Sequence, residues 1–251
     1  MIFRLGELFC GPGGLAYAAT HAVSKDGKFS IKHEWANDFD QSTCDTYATN
    51  ICPNNRESVI CEDVRKLDIN SLGDIDALAF GFPCNDFSVV GEQKGFEGNY
   101  GPLYTYGVKV LKKYRPMWFL AENVGGLASA NEGSAFKKIL LDLKECGYKV
   151  YPNLYCFEQY GVPQARHRYI IVGIRDDLQV TFYPPSTEPY KDVDVTCKTA
   201  IEIPPIPDNT LLQMTTIIAW FITTLRTLAD ILTASILLAF LPTLQEVCPA
   251  R

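Results

Sequence analysis

Phe3-Arg4-Leu5-Gly6-Glu7-Leu8-Phe9, followed by Cys10-Gly11-Pro12-Gly13-Gly14, decides the fold class. The first run reads as a strand, and the second turns the chain on glycines into a helical pattern over 14–22. Glycines in such a turn let the backbone approach a ligand, and the helix behind it offers N–H groups with no intrahelical partner. Working outward, the same unit recurs. A strand is expected over 30–36 and a helix over 40–50. A strand over 75–80, bounded by Gly81 and Pro83, precedes a helix over 103–113 with Pro116 past its end. A strand over 117–121 leads to a helix over 134–146, closed by Gly147, and strands over 149–157 and 168–174 follow. This alternation predicts an α/β fold: a mainly parallel, Rossmann-like sheet with helices on both faces. In such sheets ligands sit beyond the carboxyl ends of the strands, so the residues just after each strand carry the chemistry.

Composition bounds what that chemistry serves. The chain has 251 residues, of which 47% are apolar and 21% charged, an ordinary globular composition with room for a real core. Its net charge of −6 excludes coating nucleic acid by bulk charge, so any nucleic-acid role must come from a local site. The nine cysteines include no C-x-x-C pair and no His/Cys cluster at zinc-ligand spacing. Neither a disulfide framework nor a metal site is therefore expected, and a reducing, cytoplasmic setting is. Met1-Ile2-Phe3-Arg4-Leu5-Gly6-Glu7 lacks a basic stretch followed by an apolar core, so a secretory signal is not expected there.

Each strand end offers a candidate, and each candidate has an ordinary alternative. Gly11 and Gly13 form a tight turn that lacks the full G-x-G-x-x-G spacing. Asp38 could bind a ribose hydroxyl, or it could cap a helix together with Asp40. Glu62-Asp63-Val64 could accept from an adenine amine, or be a solvated acidic pair. Gly81-Phe82-Pro83-Cys84-Asn85-Asp86-Phe87-Ser88 puts a cysteine in a fixed loop, as a reactive thiolate or as a small buried hydrophobe. Glu122 follows a very apolar strand, as an acid/base group with a raised pKa or as the partner of an arginine. Arg166 and Arg168 alternate and so share one face. They could hold a base edge, a phosphate or a carboxylate, or be solvated. His167 points the other way and receives no role.

Taken together, the ordered set resembles the cytosine carbon-5 DNA methyltransferases. The matching stretches are Glu7-Leu8-Phe9-Cys10-Gly11-Pro12-Gly13-Gly14, Asp38-Phe39-Asp40, Glu62-Asp63-Val64 and Gly81-Phe82-Pro83-Cys84-Asn85-Asp86-Phe87-Ser88. Gly91-Glu92-Gln93-Lys94-Gly95-Phe96, Glu122-Asn123-Val124 and Gln164-Ala165-Arg166-His167-Arg168 complete the set. The resemblance implies S-adenosyl-L-methionine as methyl donor, no metal, and double-stranded DNA as partner in a restriction–modification setting in the bacterial cytosol or nucleoid. An RNA substrate is the minor alternative. It implies that Cys84 attacks carbon 6 of a flipped cytosine. Protonated Glu122 would bond ring nitrogen 3, Arg168 would hold the base's carbonyl, and Arg166 would support Glu122. Asn123 would fix the Cys84 loop, with Ser88 in support, and residues 88–103 would close over the base. Phe9, Gly11, Gly13, Phe39, Val64 and Pro83 would line the cofactor, Asp38 would bind its ribose and Asp63 its adenine.

The resemblance covers residues 1 to about 203, and the composition then changes. All 18 glycines lie at or before Gly173, and 208–251 contains only Asp208, Arg226, Asp230, Glu246 and Arg251 as charges. The expected division is a catalytic domain over 1–207 and an atypical apolar tail over 208–251 in place of a target-recognition domain and a Gly-Asn motif. The apolar run 217–240 carries Arg226 and Asp230, whose insertion cost offsets the gain from its Ile, Leu and Phe, so no membrane span is expected. A short native helix and an out-of-frame translation remain, and the abrupt loss of glycine and charge favours the latter. Intact in-frame coding DNA would refute it. The functional alternatives that follow are a silent remnant, or one subunit of an enzyme completed by a second polypeptide.

Overall fold

The computed structural model describes residues 1–24, 26–83, 103–128 and 133–196. Seven strands form one sheet: β1 (Ile2–Leu8), β2 (Ser30–Asp38), β3 (Val59–Cys61), β4 (Ala77–Gly81), β5 (Trp118–Val124), β6 (Tyr148–Cys156) and β7 (His167–Arg175). Their order is β3-β2-β1-β4-β5-β7-β6. The strands from β3 to β5 are parallel, while β7 runs antiparallel to both β5 and β6. The predicted α/β architecture is therefore present. The antiparallel edge arises because β6 and β7 are joined without a helical crossover, so the chain returns as a hairpin.

Helices cover both faces. α1 (Gly14–His21) and α2 (Gln41–Ile51) lie on one, and α3 (Tyr104–Tyr114) and α4 (Ser134–Lys144) on the other. Strand alternation divides the core accordingly. Phe3 and Leu5 pack with Ala19 of α1 and Ala22 just past its end, whereas Leu8, Leu78 and Phe80 pack with Val110 and Leu111 of α3 and Ile139 and Leu143 of α4. Local chemistry sets the helix ends. Asp40 caps α2 by accepting from the Thr43 amide at 2.8 Å, and Gly13 begins α1 in the left-handed region at φ 98°. Among the described residues no helix is long and apolar enough to cross a membrane, and the stretch 208–251 lies outside them.

Three expectations change. β2 runs through Asp38 and β5 through Val124, so Asp38, Glu122 and Asn123 sit on strand ends rather than on the loops beyond. Their backbones find partners there: Asp38 opposite Cys61, Glu122 between Gly81 and Ile170, and Asn123 opposite Tyr169. The third change is β3 itself, whose three residues are too few to show a period.

Behind the glycine turn lies a buried polar chain that sequence reasoning missed. Glu7, 1% exposed, accepts from the Tyr47 hydroxyl at 3.0 Å. His33 Nδ1 meets the same hydroxyl at 3.1 Å, and its Nε2 meets Ser58 Oγ at 2.7 Å. Burial pushes the Glu7 carboxyl from 4.5 up to about 8, against the pull of Tyr47. Burial also lowers His33 from 6.5 to about 4. The folded state thus holds the Glu7 proton more tightly than the unfolded chain, and stability falls as pH rises from 4.5 to about 8. His33 acts oppositely between about 4 and 6.5, where the unfolded chain binds the extra proton. Above pH 6.5, where His33 no longer contributes, Glu7 adds a slope approaching about 1.4 kcal/mol per pH unit, the linkage limit for one proton. Urea denaturation should show wild-type stability declining between pH 6.5 and 8 and a clearly shallower decline for Glu7→Gln. Parallel profiles would refute the assignment.

Candidate active site

The site forms where β1, β2, β4 and β5 end. At the β1 end the chain cannot continue straight: Phe9 and Gly11 take φ values of 54° and 56°, and Gly13 follows at 98°. A Cβ on Gly11 would meet nothing within 4 Å, so the turn borders open space. Asp38 fastens this turn from β2. One carboxylate oxygen accepts from the Gly11 amide at 3.0 Å, and the other accepts from the amides of Phe39 at 2.8 Å and Asp40 at 3.2 Å. Phe39 projects beside it and is 77% exposed. Val64 is buried. The Asp63 carboxylate is gripped by Arg65, whose Nε lies 2.9 Å from Oδ1, and that bond holds the carboxyl down at about 2. An adenine amine at Asp63 would share an acceptor that Arg65 already occupies.

A second cluster forms at the ends of β4 and β5. Register places Glu122 beside Gly81, and a Cβ on Gly81 would come within 3.4 Å of Glu122 Oε2. The small residue leaves room for the carboxylate. Arg168 of β7 reaches Glu122 Oε1 through its Nε at 2.8 Å. The Arg168 Nη1 also donates to the His167 carbonyl at 2.8 Å, which holds the guanidinium in place. Burial pushes the Glu122 carboxyl above its ordinary value, and Arg168 and then Arg166 pull it back only part of the way. Burial and the like charge of Arg168 lower Arg166 in turn. Both readings of Glu122 thus hold together: it is paired with an arginine and still biased toward its protonated form. The direct pairing comes from Arg168, however, and Arg166 acts on Glu122 only through its field.

Asn123 is almost wholly buried. Its amide nitrogen donates to the Phe82 carbonyl at 2.9 Å, and its own carbonyl accepts from the Val124 amide at 2.8 Å. One side chain therefore ties β5 to the segment Phe82-Pro83 that leads to Cys84. Cys84 and Ser88, with most of the expected closing segment 88–103, lie outside the described residues.

On the opposite face of the β7 start, His167 turns away from Arg168 and bonds Glu158 Oε1 through Nε2 at 2.7 Å. Cys156 joins them, with one ligand-type atom from each of the three residues lying within 4.8 Å of the others. Sequence spacing gave no sign of this cluster, because only the β6–β7 pairing brings Cys156 opposite His167.

A doubly wound sheet with a glycine turn after its first strand and an acid at the end of its second binds ligands beyond its strand ends, and its family and structural matches make it the S-adenosylmethionine-dependent methyltransferase fold. The chain belongs to the C-5 cytosine-specific DNA methylase family, whose model matches residues 3–234 and so runs past the compositional boundary at 208. Type II methyltransferase M.BbvI of Brevibacillus brevis is 61% identical over 196 residues, covering 74% of this chain and 52% of the relative. Type II methyltransferase M.NgoFVII of Neisseria gonorrhoeae is 37% identical over 184 residues, covering 72% of this chain and 46% of the relative. A solved structure of a candidate DNA modification methyltransferase encoded within an E. coli prophage superposes with a TM-score of 0.59 at 27% identity. That match covers 79% of this chain and 54% of the other. The chain spans about half the length of the curated relatives it matches.

Proposed function

We propose that this chain is the catalytic part of a DNA (cytosine-5) methyltransferase that modifies a flipped cytosine through a bond to Cys84. The observation that carries the proposal is the Glu122–Arg168 pair, set beside Gly81 and fastened through Asn123 to the segment that delivers Cys84. An acid biased toward its neutral form, next to a fixed cation, suits a ring whose nitrogen gains charge while its carbonyl must be held.

The residues at the β1 and β2 ends fit S-adenosylmethionine. Open space at Gly11 admits a ligand against backbone, Asp38 lies at the turn, and Phe39 offers an apolar face. Phe9, Gly13, Asp63, Val64 and Pro83 complete the assigned contacts. Bound there, the cofactor supplies the methyl group to carbon 5. Cys84 as thiolate forms a bond from sulfur to carbon 6, which makes carbon 5 electron-rich. Glu122 donates a hydrogen bond to nitrogen 3 and offsets the charge that attack creates there. Arg168 holds the ring carbonyl, and Arg166 biases both neighbours through its charge. When carbon 5 loses its proton to a solvent base, the electron pair reforms the double bond and expels the Cys84 sulfur as thiolate. Double-stranded DNA is the assigned substrate, a bacterial cytosol or nucleoid the assigned setting. Target reading falls to protein beyond the described residues, on this chain or on a second polypeptide.

The test uses an oligonucleotide duplex bearing 5-fluorocytosine, from which the final proton loss is blocked. With S-adenosylmethionine present, a denaturant-resistant protein–DNA adduct should form and should vanish in Cys84→Ser. An adduct that survives in that variant, or none from the wild type at saturating DNA, refutes the proposal.

A further inference from the structure

We propose that Cys156, Glu158 and His167 form a three-ligand site for a zinc-type divalent cation at the end of the β6–β7 hairpin. Cys156 is the last residue of β6 and His167 the first of β7, and the two are paired directly across the antiparallel register. Residues so paired project to the same face. The short 3-10 turn Phe157–Tyr160 carries Glu158 back over them, and a bond from the Phe157 amide to the Arg166 carbonyl at 3.0 Å closes the hairpin beneath. The three side chains thus converge from fixed backbone, with their ligand atoms within 4.8 Å of one another.

A second observation points to a missing ligand. His167 occupies Glu158 Oε1, while Glu158 Oε2 is enclosed and makes no hydrogen bond of standard geometry, its charge being favoured by the nearby backbone amides of Glu158 and Arg166 on a side chain that is 32% exposed. A carboxylate oxygen turned inward without a well-formed hydrogen bond keeps lone pairs that a cation could take. The donor set selects the ion. One sulfur, one imidazole nitrogen and one carboxylate oxygen suit a borderline-soft cation that favours tetrahedral coordination, not calcium or magnesium, which take oxygen ligands. His167 is exposed and Cys156 and Glu158 are half-buried, so solvent reaches the cluster and a water completes the fourth position. Binding forms metal bonds to Cys156 sulfur, a His167 nitrogen and a Glu158 oxygen, and the thiol proton leaves to solvent. The His167 carbonyl accepts from Arg168, so an ion here would stiffen the strand end that presents Arg168 to Glu122.

The test is a titration of the chelator-treated full chain with Co²⁺, followed by zinc competition. One equivalent should give the near-ultraviolet thiolate-to-cobalt absorption and the intense visible bands of a tetrahedral ion, and Zn²⁺ should displace it. Cys156→Ser should abolish the near-ultraviolet band. His167→Gln, on the surface, should weaken binding by at least about 100-fold, since losing even an outer-shell partner of a ligand costs about 10–100-fold. Cys61→Ser, at the exposed cysteine of β3, should bind as the wild type does. The proposal is overturned if the wild type takes up no stoichiometric cobalt, if the band persists in Cys156→Ser, or if His167→Gln binds normally. None of these readouts requires methyl transfer, so the site can fail while the proposed function stands, and the reverse.

Discussion

Glu122→Gln is expected to slow methyl transfer by about 10²–10⁴-fold, the range for removing a positioned acid, while leaving S-adenosylmethionine affinity unchanged. Glutamine keeps the shape of the side chain and can still donate a hydrogen bond. It cannot move a proton toward nitrogen 3, and it offers Arg168 a neutral partner in place of the carboxylate at 2.8 Å. The loss should therefore appear in kcat more than in KM. The pH profile gives an independent check. Burial holds the Glu122 carboxyl above its ordinary value. The wild type should lose rate as pH rises through that raised pKa, because the protonated acid is the active form, and the variant should lack this limb. A variant within threefold of the wild type, or one that keeps the limb, would remove Glu122 from the mechanism. Its distance from the glycine turn makes cofactor affinity the control: a variant that also loses cofactor has been damaged in its fold.

Gly173→Ala should cost about 3 kcal/mol or more of stability, at or beyond the upper end for overpacking a core. Gly173 lies in β7 directly opposite Phe119 of β5, and both are enclosed by sheet and helix. A Cβ there would stand 1.9 Å from Phe119 Cε1 and 2.3 Å from Cζ. The ring cannot swing aside. It is fully buried, meets Tyr148 edge-on at 5.2 Å and lies 6.0 Å from Phe80. The backbone at Gly173 is ordinary strand, so the penalty is steric rather than conformational. For a domain of this size the loss corresponds to a fall in Tm on the order of 10 °C. Thermal and urea denaturation measure it directly. The double variant Gly173→Ala/Phe119→Leu should be less destabilised than the sum of its parts, because leucine vacates the contested volume. Strict additivity, or a single-variant loss below about 1 kcal/mol, would show that the ring has room to move.

The two predictions divide in how far the sequence foresaw them. Glu122 stood out in the chain because an acid immediately after Trp118-Phe119-Leu120-Ala121 is hard to place in a core. What could not be read there was its partner. The resemblance gave that role to Arg166, whereas the direct pairing with Arg168 depends on β7 inserting beside β5 in a particular register. Gly173 gave no local signal at all, since a glycine in a strand acquires meaning only from the ring across from it. Cys156, Glu158 and His167 are likewise unremarkable in order, and Glu7 looked like one more residue of an apolar strand until Tyr47 of α2 came to rest on it.

Local residue patterns set the alternation of strands and helices, the glycine turn after the first strand, and which residues fall near each strand end. Those properties follow from periodicity and from glycine, proline and capping chemistry, which act over a few neighbouring residues. Tertiary structure alone decided the antiparallel insertion of β7, the extension of β2 and β5 through their functional residues, and every pairing of charge across strands. Strand pairing joins residues far apart in the chain through backbone hydrogen bonds that are the same for nearly any side chain, so the local pattern does not specify the partner.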